Sequence, residues 1–290
     1  MAAAWYLADL GELSGKRAQL GSRAQAQLTT LRKSAMVQSA ISSNRIEGVE
    51  IAPDRVNSVV LGRPATRDRN EEEVRGYRNA LRLIHDKHAS LEISEATILN
   101  LHKVSRGETW DAGQYKTKDI DIIETYADGR SRVRFRSVSA KATQAAMQEL
   151  VTLWREQERQ ANLHPLIAMA ALNLDLLCIH PFRDGNGRVS RLLLMLNCYQ
   201  TGIEIGRYVS FERIIEQNKD RYYETLEASS KGWHEGKHDP WSYINYLLFV
   251  LKTASTELGQ LIERAGAKPA SKPPVKRTKS PKRNARRKPQ

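Results

Sequence analysis

The stretch HPFRDGNGRVSR, residues 180–191, separates two segments whose apolar residues recur at helical spacing. We expect a buried helix over about 165–179 before it and a second helix, ended by Gly202, after it. Pro181 cannot continue the first helix because proline has no backbone N–H. The glycines of the Gly-Asn-Gly turn allow backbone conformations that other residues avoid, so this turn is expected at the N-terminus of the second helix.

The first turn of that second helix combines the features of an anion site. Free backbone N–H groups and the positive end of the helix dipole meet there. Arg188 and Arg191 are three residues apart, so both side chains lie on one face of the turn. Two cations at this position oppose the dipole, and an anionic ligand that accepts bidentate hydrogen bonds would compensate for this. The sequence therefore predicts a site for a ligand with several phosphate groups.

Two more residues of the stretch suggest phosphate chemistry. Asp184 would repel phosphates unless Mg²⁺ bridged them, which this ion does with one carboxylate, waters and phosphate oxygens. His180 could then accept a proton from an attacking hydroxyl group. Taken alone, a histidine after a buried helix is more often structural. Pro181 and the glycines argue against a pair of metal ligands on one continuous helix.

The complete stretch resembles the signature of the Fic (filamentation induced by cAMP) family, H-P-F-x-[DE]-G-N-G-R-x-x-R, and every fixed position is present. The resemblance extends from about Ser39 to Leu251. It implies a mainly α-helical Fic fold, a helical bundle with one β-hairpin flap over the active site. It also implies a protein adenylyltransferase, which transfers AMP from ATP to a Ser, Thr or Tyr hydroxyl group of a protein with Mg²⁺ bound.

The same resemblance implies a role for each signature residue. His180 would deprotonate the target hydroxyl group, and Asp184 would hold Mg²⁺. Arg188 would contact the β-phosphate and Arg191 the γ-phosphate of ATP. The α- and β-phosphates would be cradled by the turn residues Gly185, Asn186 and Gly187.

Three positions outside the signature are compared with the family. Tyr222 and Tyr223 lie in a helical stretch, where aromatic residues usually pack in the core; the resemblance places them at the nucleotide base or the wall of its pocket. Many family members carry a histidine where Asn173 stands, a departure that we do not expect to affect the chemistry.

A second motif, SNRIEG at residues 43–48, resembles the family's inhibitory motif [ST]-x-x-x-E-[GN]. We expect it at the end of a helix over about 24–47, with Gly48 as the C-terminal stop. By residue type alone, Glu47 is an exposed acid. The resemblance implies instead that Ser43 and Glu47 belong to an N-terminal inhibitory helix, in which Glu47 pairs with Arg191 and blocks the γ-phosphate.

A β-hairpin is predicted from two segments, 118–123 and 132–138, around the turn Ala127-Asp128-Gly129. This segment resembles the Fic flap, on which an unknown protein substrate would dock along about Arg132–Arg136. A surface hairpin whose arginines serve solubility is the alternative from the residues alone. Self-modification and homodimer formation are further partner options, which no residue decides.

Charge and composition divide the chain into three parts. The net charge is +13, but residues 266–290 contain ten Lys or Arg and no acid, which leaves about +3 for the rest. We expect an N-terminal helical module over 1–62, a catalytic core over 63–265 and a disordered basic tail over 266–290. The tail either binds nucleic acid weakly through electrostatics or keeps the protein soluble.

Composition also bounds the class of protein. Cys178 and Cys198 lie in apolar helical runs, so buried thiols are expected rather than a disulfide or a metal site. The first ten residues carry no basic region typical of a secretory signal, and no apolar run is long enough to span a bilayer. We therefore expect no membrane contact and a cytoplasmic location.

Several functions stay open from the sequence. The favoured one is an adenylyltransferase that Glu47 inhibits. Within the same fold, the alternatives are a de-AMPylase and a transferase of another nucleotidyl or phosphocholine group. Outside enzymes, the alternative is a regulator that binds nucleic acid and uses the nucleotide site only to sense its ligand.

Overall fold

The computed structural model describes residues 22–62, 65–125 and 128–266. Over these ranges the chain forms ten α-helices and one two-stranded antiparallel sheet. The helices are α1 Ser22–Ile46, α2 Val56–Leu61, α3 Arg69–Lys87, α4 Glu95–Arg106, α5 Ala140–Gln160, α6 Pro165–Ile179, α7 Asn186–Gln200, α8 Phe211–Gln217, α9 Lys219–Ser230 and α10 Trp241–Gly266. The strands are β1 Asp121–Thr125 and β2 Ser131–Arg136. The expected fold class, mainly α with one hairpin, is confirmed.

Helices α6 and α7 form the centre of the core. Buried residues lie on every face of both helices, as expected for helices surrounded by protein rather than by water on one side. Helix α6 contacts α5, α7, α9 and α10, and α7 contacts α3 and α4. The segment that joins α6 to α7 is the signature, so its side chains are placed by the two most buried helices.

Helix α1 packs against the core over its C-terminal half, from Ala35 to Ile46. It contacts α3 and α8, and the buried Ser39 hydroxyl donates to Ser210 Oγ at 2.9 Å. The helix ends at Ile46, and Gly48 has φ +79°, which only glycine adopts without strain, so the expected C-terminal stop is confirmed. This end of α1 lies beside the signature.

One helix boundary differs from its prediction. Asparagine is a favoured N-cap residue, so the sequence predicts that Asn70 caps a helix beginning at Glu71. This prediction is wrong: α3 begins at Arg69 and Asp68 is its cap, with its carboxylate accepting the Glu71 N–H at 2.9 Å. Asn70 lies inside the helix and donates to the Glu50 carbonyl at 2.9 Å. Asp68 prevails because a carboxylate also interacts favourably with the N-terminal dipole.

The hairpin is shorter than predicted. Asp121 pairs with Arg136 and Thr125 with Ser131, with an irregularity between Ile122 and Ile123. Ala127 of the predicted turn lies outside the described residues, as do residues 1–21 of the N-terminal module and 267–290 of the tail. The proposed domain boundaries therefore stay predictions.

Two composition-based expectations can be compared with the described residues. Cys178 and Cys198 are both buried free thiols, as expected. None of the described helices combines the length and the apolar character needed to cross a membrane.

Candidate active site

His180 is the C-cap of α6 and has an unusual backbone conformation. Its φ of 52° and ψ of 61° lie in the left-handed region, which is uncommon for a residue other than glycine. The ring Nδ1 lies 3.3 Å from the Leu177 carbonyl. Because a carbonyl can only accept, Nδ1 carries the proton in this contact and Nε2 keeps its lone pair. The half-buried imidazole therefore presents a basic nitrogen.

Burial also keeps His180 neutral. Burial and, to a smaller extent, the nearby Lys116 ammonium lower the pKa of His180 to about 4. Lys116 is itself buried; its Nζ donates to Ser137 Oγ at 2.7 Å and to the Ile179 carbonyl at 3.2 Å. Burial lowers the pKa of Lys116 to about 8. At neutral pH His180 is thus ready to accept a proton.

The turn after His180 is braced by its own side chains. Asn186 Oδ1 accepts the Phe182 N–H at 2.9 Å, and Asn186 Nδ2 donates to the Phe182 carbonyl at 2.7 Å. The side chain of Asn186 is therefore used to close the turn, which leaves its backbone N–H for a ligand. Gly185 is the N-cap of α7 with φ +87°, a conformation that the predicted glycine turn requires.

His102, which sequence reasoning missed, supports the same turn from α4. Its ring stacks on Phe182 with centroids 3.8 Å apart. The Gly113 N–H donates to His102 Nδ1 at 2.9 Å, so Nε2 carries the proton and donates to the Asp184 carbonyl at 3.0 Å. Burial lowers the pKa of His102 to about 4, so the ring is neutral. The motif carried no sign of this contact because His102 is 82 residues away from Asp184.

Arg191 and Glu47 form the expected ion pair. Arg191 Nη2 lies 2.7 Å from Glu47 Oε1. Arg191 Nε donates to Ser43 Oγ at 2.9 Å, and Nη2 donates to the Ser43 carbonyl at 2.9 Å. Burial opposes the charge on Arg191, but the Glu47 carboxylate outweighs it and raises the pKa of Arg191 above its usual value.

Gly187 lets the Glu47 carboxylate lie over the turn. A Cβ at this position would overlap Glu47 Oε1 and would lie 3.1 Å from Arg191 Nη1. Glu47 and Gly187 also line one cavity together with His180. The carboxylate therefore occupies space against the turn, in the cavity that His180 also lines, where the phosphates of a nucleotide are expected.

Arg188 belongs to a second, deeper set of ion pairs. Its Nη1 donates to Glu73 Oε2 at 2.6 Å and to Asn44 Oδ1 at 3.3 Å, and its Nη2 lies 3.3 Å from Asp184 Oδ1. Arg106 Nη1 donates to Glu73 Oε1 at 2.9 Å and to Asp184 Oδ2 at 2.7 Å. Sequence reasoning missed Glu73 and Arg106, which lie on α3 and α4.

The residues present fit a polyphosphate ligand. Arg188 Nε and Arg191 Nη1 are buried and have no hydrogen-bond partner among the described residues. Buried guanidinium N–H groups normally have an acceptor, and phosphate oxygens would supply one here. The backbone N–H groups at the start of α7 lie at the same turn.

Asp184 fits a magnesium ion that binds mainly through phosphates. Its side chain is 50% exposed. Burial opposes ionisation of its carboxyl, but Arg188 and Arg106 outweigh this and lower the pKa of Asp184 below its usual value. Among the described residues no three His, Cys, Asp or Glu side chains form a metal cluster. One ionised carboxylate is the donor set that Mg²⁺ uses beside phosphates.

A cavity of about 410 Å³ opens next to His180. Tyr222 and Tyr223 line it, as does Phe135 on the hairpin. Tyr222 is buried and its ring lies 5.2 Å from that of Tyr223, so the tyrosines serve both the core and the cavity wall. Residues of both strands line the cavity, so the hairpin forms one of its walls. Arg134 ties the hairpin to α9 because it donates to the Tyr223 carbonyl.

Asn173 has a structural role in this protein. Its Nδ2 donates to the Ser190 carbonyl at 2.7 Å, and its Oδ1 accepts from Ser190 Oγ at 3.1 Å and from the Tyr243 hydroxyl at 2.6 Å. The side chain joins α6 to α7 and α10 in the core. It makes no described contact with His180.

Comparison with known proteins finds Fic proteins as relatives. The sequence profile of the Fic/DOC family matches residues 92–198. The chain is 26% identical over 233 residues to the protein adenylyltransferase Fic of Drosophila willistoni, which covers 77% of this chain and 43% of that protein. It is 26% identical over 203 residues to the protein adenylyltransferase fic-1 of Caenorhabditis elegans, covering 67% and 37%. The chain thus spans less than half the length of these relatives.

Solved structures show the same fold. A Fic family protein from Desulfovibrio desulfuricans superposes with a TM-score of 0.72 at 24% identity, over 90% of this chain and 75% of that chain. A Fic domain containing signaling protein from Bacteroides thetaiotaomicron superposes with a TM-score of 0.69 at 17% identity, over 92% and 100%. Residues 92–198 therefore match the Fic/DOC family model, and the described residues have the fold of solved Fic-domain proteins.

Proposed function

We propose that this protein is an adenylyltransferase that transfers AMP from ATP to a hydroxyl group of a protein, and that Glu47 inhibits it. The observation that carries the proposal is the position of a neutral His180 beside buried arginines that have unused N–H groups. The curated relatives from Drosophila willistoni and Caenorhabditis elegans are named protein adenylyltransferases, and the proposal extends that activity to this chain.

In the proposed reaction, His180 Nε2 accepts the proton of the target hydroxyl group. The hydroxyl oxygen then forms a bond to the α-phosphorus of ATP, and the bond to the leaving pyrophosphate breaks. Arg188, Arg191 and the N–H groups at the start of α7 stabilise the negative charge on the phosphates. Asp184 would hold Mg²⁺, which when bound neutralises phosphate charge.

Inhibition follows from the position of Glu47. The carboxylate pairs with Arg191, the residue proposed to hold the γ-phosphate, and it lies over Gly187. A phosphate in that place would meet a like charge and would lack its arginine. ATP then binds with its α-phosphorus out of line for attack. Ser43 supports the inhibited state because its hydroxyl and carbonyl groups hold Arg191.

The hairpin is proposed to dock the target protein along Arg132–Arg136. Ile123 and Val133 pair across the two strands and are exposed apolar residues, and Ile123 also lines the cavity. An extended target segment that paired with this hairpin would bring its hydroxyl group to His180.

A second candidate is removal of AMP from a modified protein. Glu47 and His180 line the same cavity, so a carboxylate is available beside the histidine to orient a water molecule. If the protein removes AMP, Glu47→Gly is expected to abolish the removal of AMP. If the protein transfers AMP, the same variant is expected to increase AMP transfer. The same variant therefore separates the two reactions.

The test of function uses ATP labelled at the α-phosphate, Mg²⁺ and a lysate as the source of targets. Glu47→Gly protein is expected to label a target or itself, and the double variant with His180→Ala is expected not to. Transfer of label from UTP or CTP, but not from ATP, would show that another nucleotide is the donor. Binding of ATP with no transfer from any donor would favour the nucleotide sensor and contradict the proposed enzyme.

A further inference from the structure

The carboxylates of Glu73 and Asp184 share two buried arginines. Glu73 accepts from Arg188 at 2.6 Å and from Arg106 at 2.9 Å, and Asp184 accepts from the same two guanidinium groups at 3.3 Å and 2.7 Å. Glu73 also accepts from Arg69 Nε at 3.0 Å. The two arginines lie between the carboxylates, so each carboxylate affects what the other must neutralise.

The two carboxylates differ in burial. The Glu73 side chain is 5% exposed, whereas that of Asp184 is 50% exposed, and the two arginines are each 1% exposed. A buried guanidinium group needs an anionic partner because the protein interior does not solvate its charge. Glu73 supplies this partner inside the protein, so Asp184 can keep part of its carboxylate at the surface.

We propose that Glu73 is a positioning residue of the nucleotide site, which neutralises Arg188 and Arg106 so that Asp184 stays available to a metal ion. This inference rests on the proposed function, in which Asp184 holds Mg²⁺. Without the charge of Glu73, Asp184 is the one carboxylate left that accepts from both arginines, because Asp111 lies 3.8 Å from Arg106 alone. It is then drawn into full pairing with them and away from the phosphates.

The inference predicts a specific change in how Mg²⁺ affects ATP binding. Loss of the charge of Glu73 weakens the metal contact of Asp184, as loss of an outer partner of a metal ligand does by about 10- to 100-fold. It does not weaken metal-free ATP, because one negative charge near the phosphates is removed. The ratio of ATP affinity with Mg²⁺ to ATP affinity without Mg²⁺ therefore falls, which a general loss of structure would not produce selectively.

The experiment measures ATP binding by titration calorimetry, in EDTA and in MgCl₂, with Glu47→Gly as the parent protein. Adding Glu73→Gln is expected to lower the Mg²⁺ ratio by about 10- to 100-fold. Affinity for AMP without metal is expected to stay that of the parent. A ratio equal to that of the parent overturns the role of Glu73 and leaves the proposed function standing.

Glu71→Gln is the matched control. Glu71 lies two residues earlier on α3, is equally buried and accepts from Arg55 Nε at 2.7 Å and Nη2 at 2.9 Å. Its described partners lie outside the signature. The control is expected to keep the Mg²⁺ ratio of the parent, and a fall equal to that of Glu73→Gln overturns the inference.

A second variant keeps the test decisive if Glu73→Gln does not fold. Arg106→Gln removes one cation instead of one anion, so Glu73 and Asp184 have fewer charges to neutralise. The Mg²⁺ ratio is expected to stay at that of the parent or to rise. A fall would show that the cluster acts only as one packed unit, which overturns the role given to Glu73.

The parent protein separates this inference from the function on which it rests. If ATP binding by Glu47→Gly does not respond to Mg²⁺, both the metal role of Asp184 and the inference fail. Transfer of labelled AMP by the same protein then decides the proposed function independently.

Discussion

Arg188 and Arg191 lie one turn apart on α7, and each is held by a glutamate from outside the signature, but the two ion pairs differ in depth. Glu73 is 5% exposed and contacts three arginines. Glu47 is 27% exposed, pairs with Arg191 and lines the cavity beside His180. The comparison shows how one kind of contact can serve two purposes. A buried, shared carboxylate fixes a side chain, and a carboxylate at the cavity edge can be displaced.

The largest expected effect tests whether AMP transfer by the Glu47→Gly protein uses His180 as its base. In the Glu47→Gly protein, His180→Ala removes the base, so transfer of labelled AMP should fall by about 10²- to 10⁴-fold. ATP affinity should change little, because the phosphates are held by the arginines. A double variant that still transfers AMP would show that the chemistry does not depend on His180.

The more buried ion pair is expected to contribute more to the free energy of unfolding than the pair at the cavity edge. Glu73→Ala leaves buried arginines without their shared carboxylate and is expected to cost about 3–5 kcal/mol in the free energy of unfolding. Glu47→Ala removes one charged acceptor from the buried Arg191, which keeps its two Ser43 acceptors, and is expected to cost less, about 1.5–3 kcal/mol. Urea denaturation measures both values. Equal losses would contradict the division into a fixed pair and a displaceable pair.

The acid limb of the pH profile reports the environment of His180. Burial lowers its pKa to about 4, so the base stays neutral as the pH falls from 7 to 5 and is protonated only near 4. In the Glu47→Gly protein, kcat/KM at pH 5 should be within about twofold of its value at pH 7. A histidine with the usual pKa of about 6.5 would lose about 25-fold over the same change. Such a loss would show that His180 is more solvated than the structure indicates.

The smallest expected effect concerns Ser43. Ser43→Ala removes the hydroxyl group that accepts from Arg191 Nε and keeps both the Ser43 carbonyl contact and Glu47. One such hydrogen bond contributes about 0.5–1.5 kcal/mol, so AMP transfer should rise about two- to tenfold, less than in Glu47→Gly. Ser42→Ala, at the neighbouring position, is the control. A gain from Ser42→Ala as large as that from Ser43→Ala would remove Ser43 from the inhibitory contact.

Much of the fold and site could be predicted because the information is local. The turn at residues 185–187, the stop at Gly48 and the burial of α6 each follow from a few neighbouring residues. The pairing of Glu47 with Arg191, 144 residues apart, was expected only from the family resemblance, and the structure contains it.

The rest could not be predicted because it depends on contacts between distant residues. In the sequence, Glu73 and Arg106 resemble ordinary surface charges on amphipathic helices. Their partners Arg188 and Asp184 are 115 and 78 residues away along the chain, and only the packing of the helices brings them into contact. The sequence did not indicate that the Asn186 side chain closes the turn and leaves the backbone N–H of this residue for the predicted phosphate contact. The competition between Asp68 and Asn70 for the start of α3 also depended on geometry that residue type does not specify.

The most direct test of the central claim is the initial rate of AMP transfer by the wild type, Glu47→Gly and Glu50→Gly. Glu50 is an exposed glutamate three residues further along the chain, with no described side-chain contact to Arg191. Releasing Arg191 from a hydrogen bond to a charged group, worth about 1.5–3 kcal/mol, predicts a gain of about tenfold or more for Glu47→Gly. Glu50→Gly should match the wild type. A Glu47→Gly rate equal to or below that of the wild type would contradict the account.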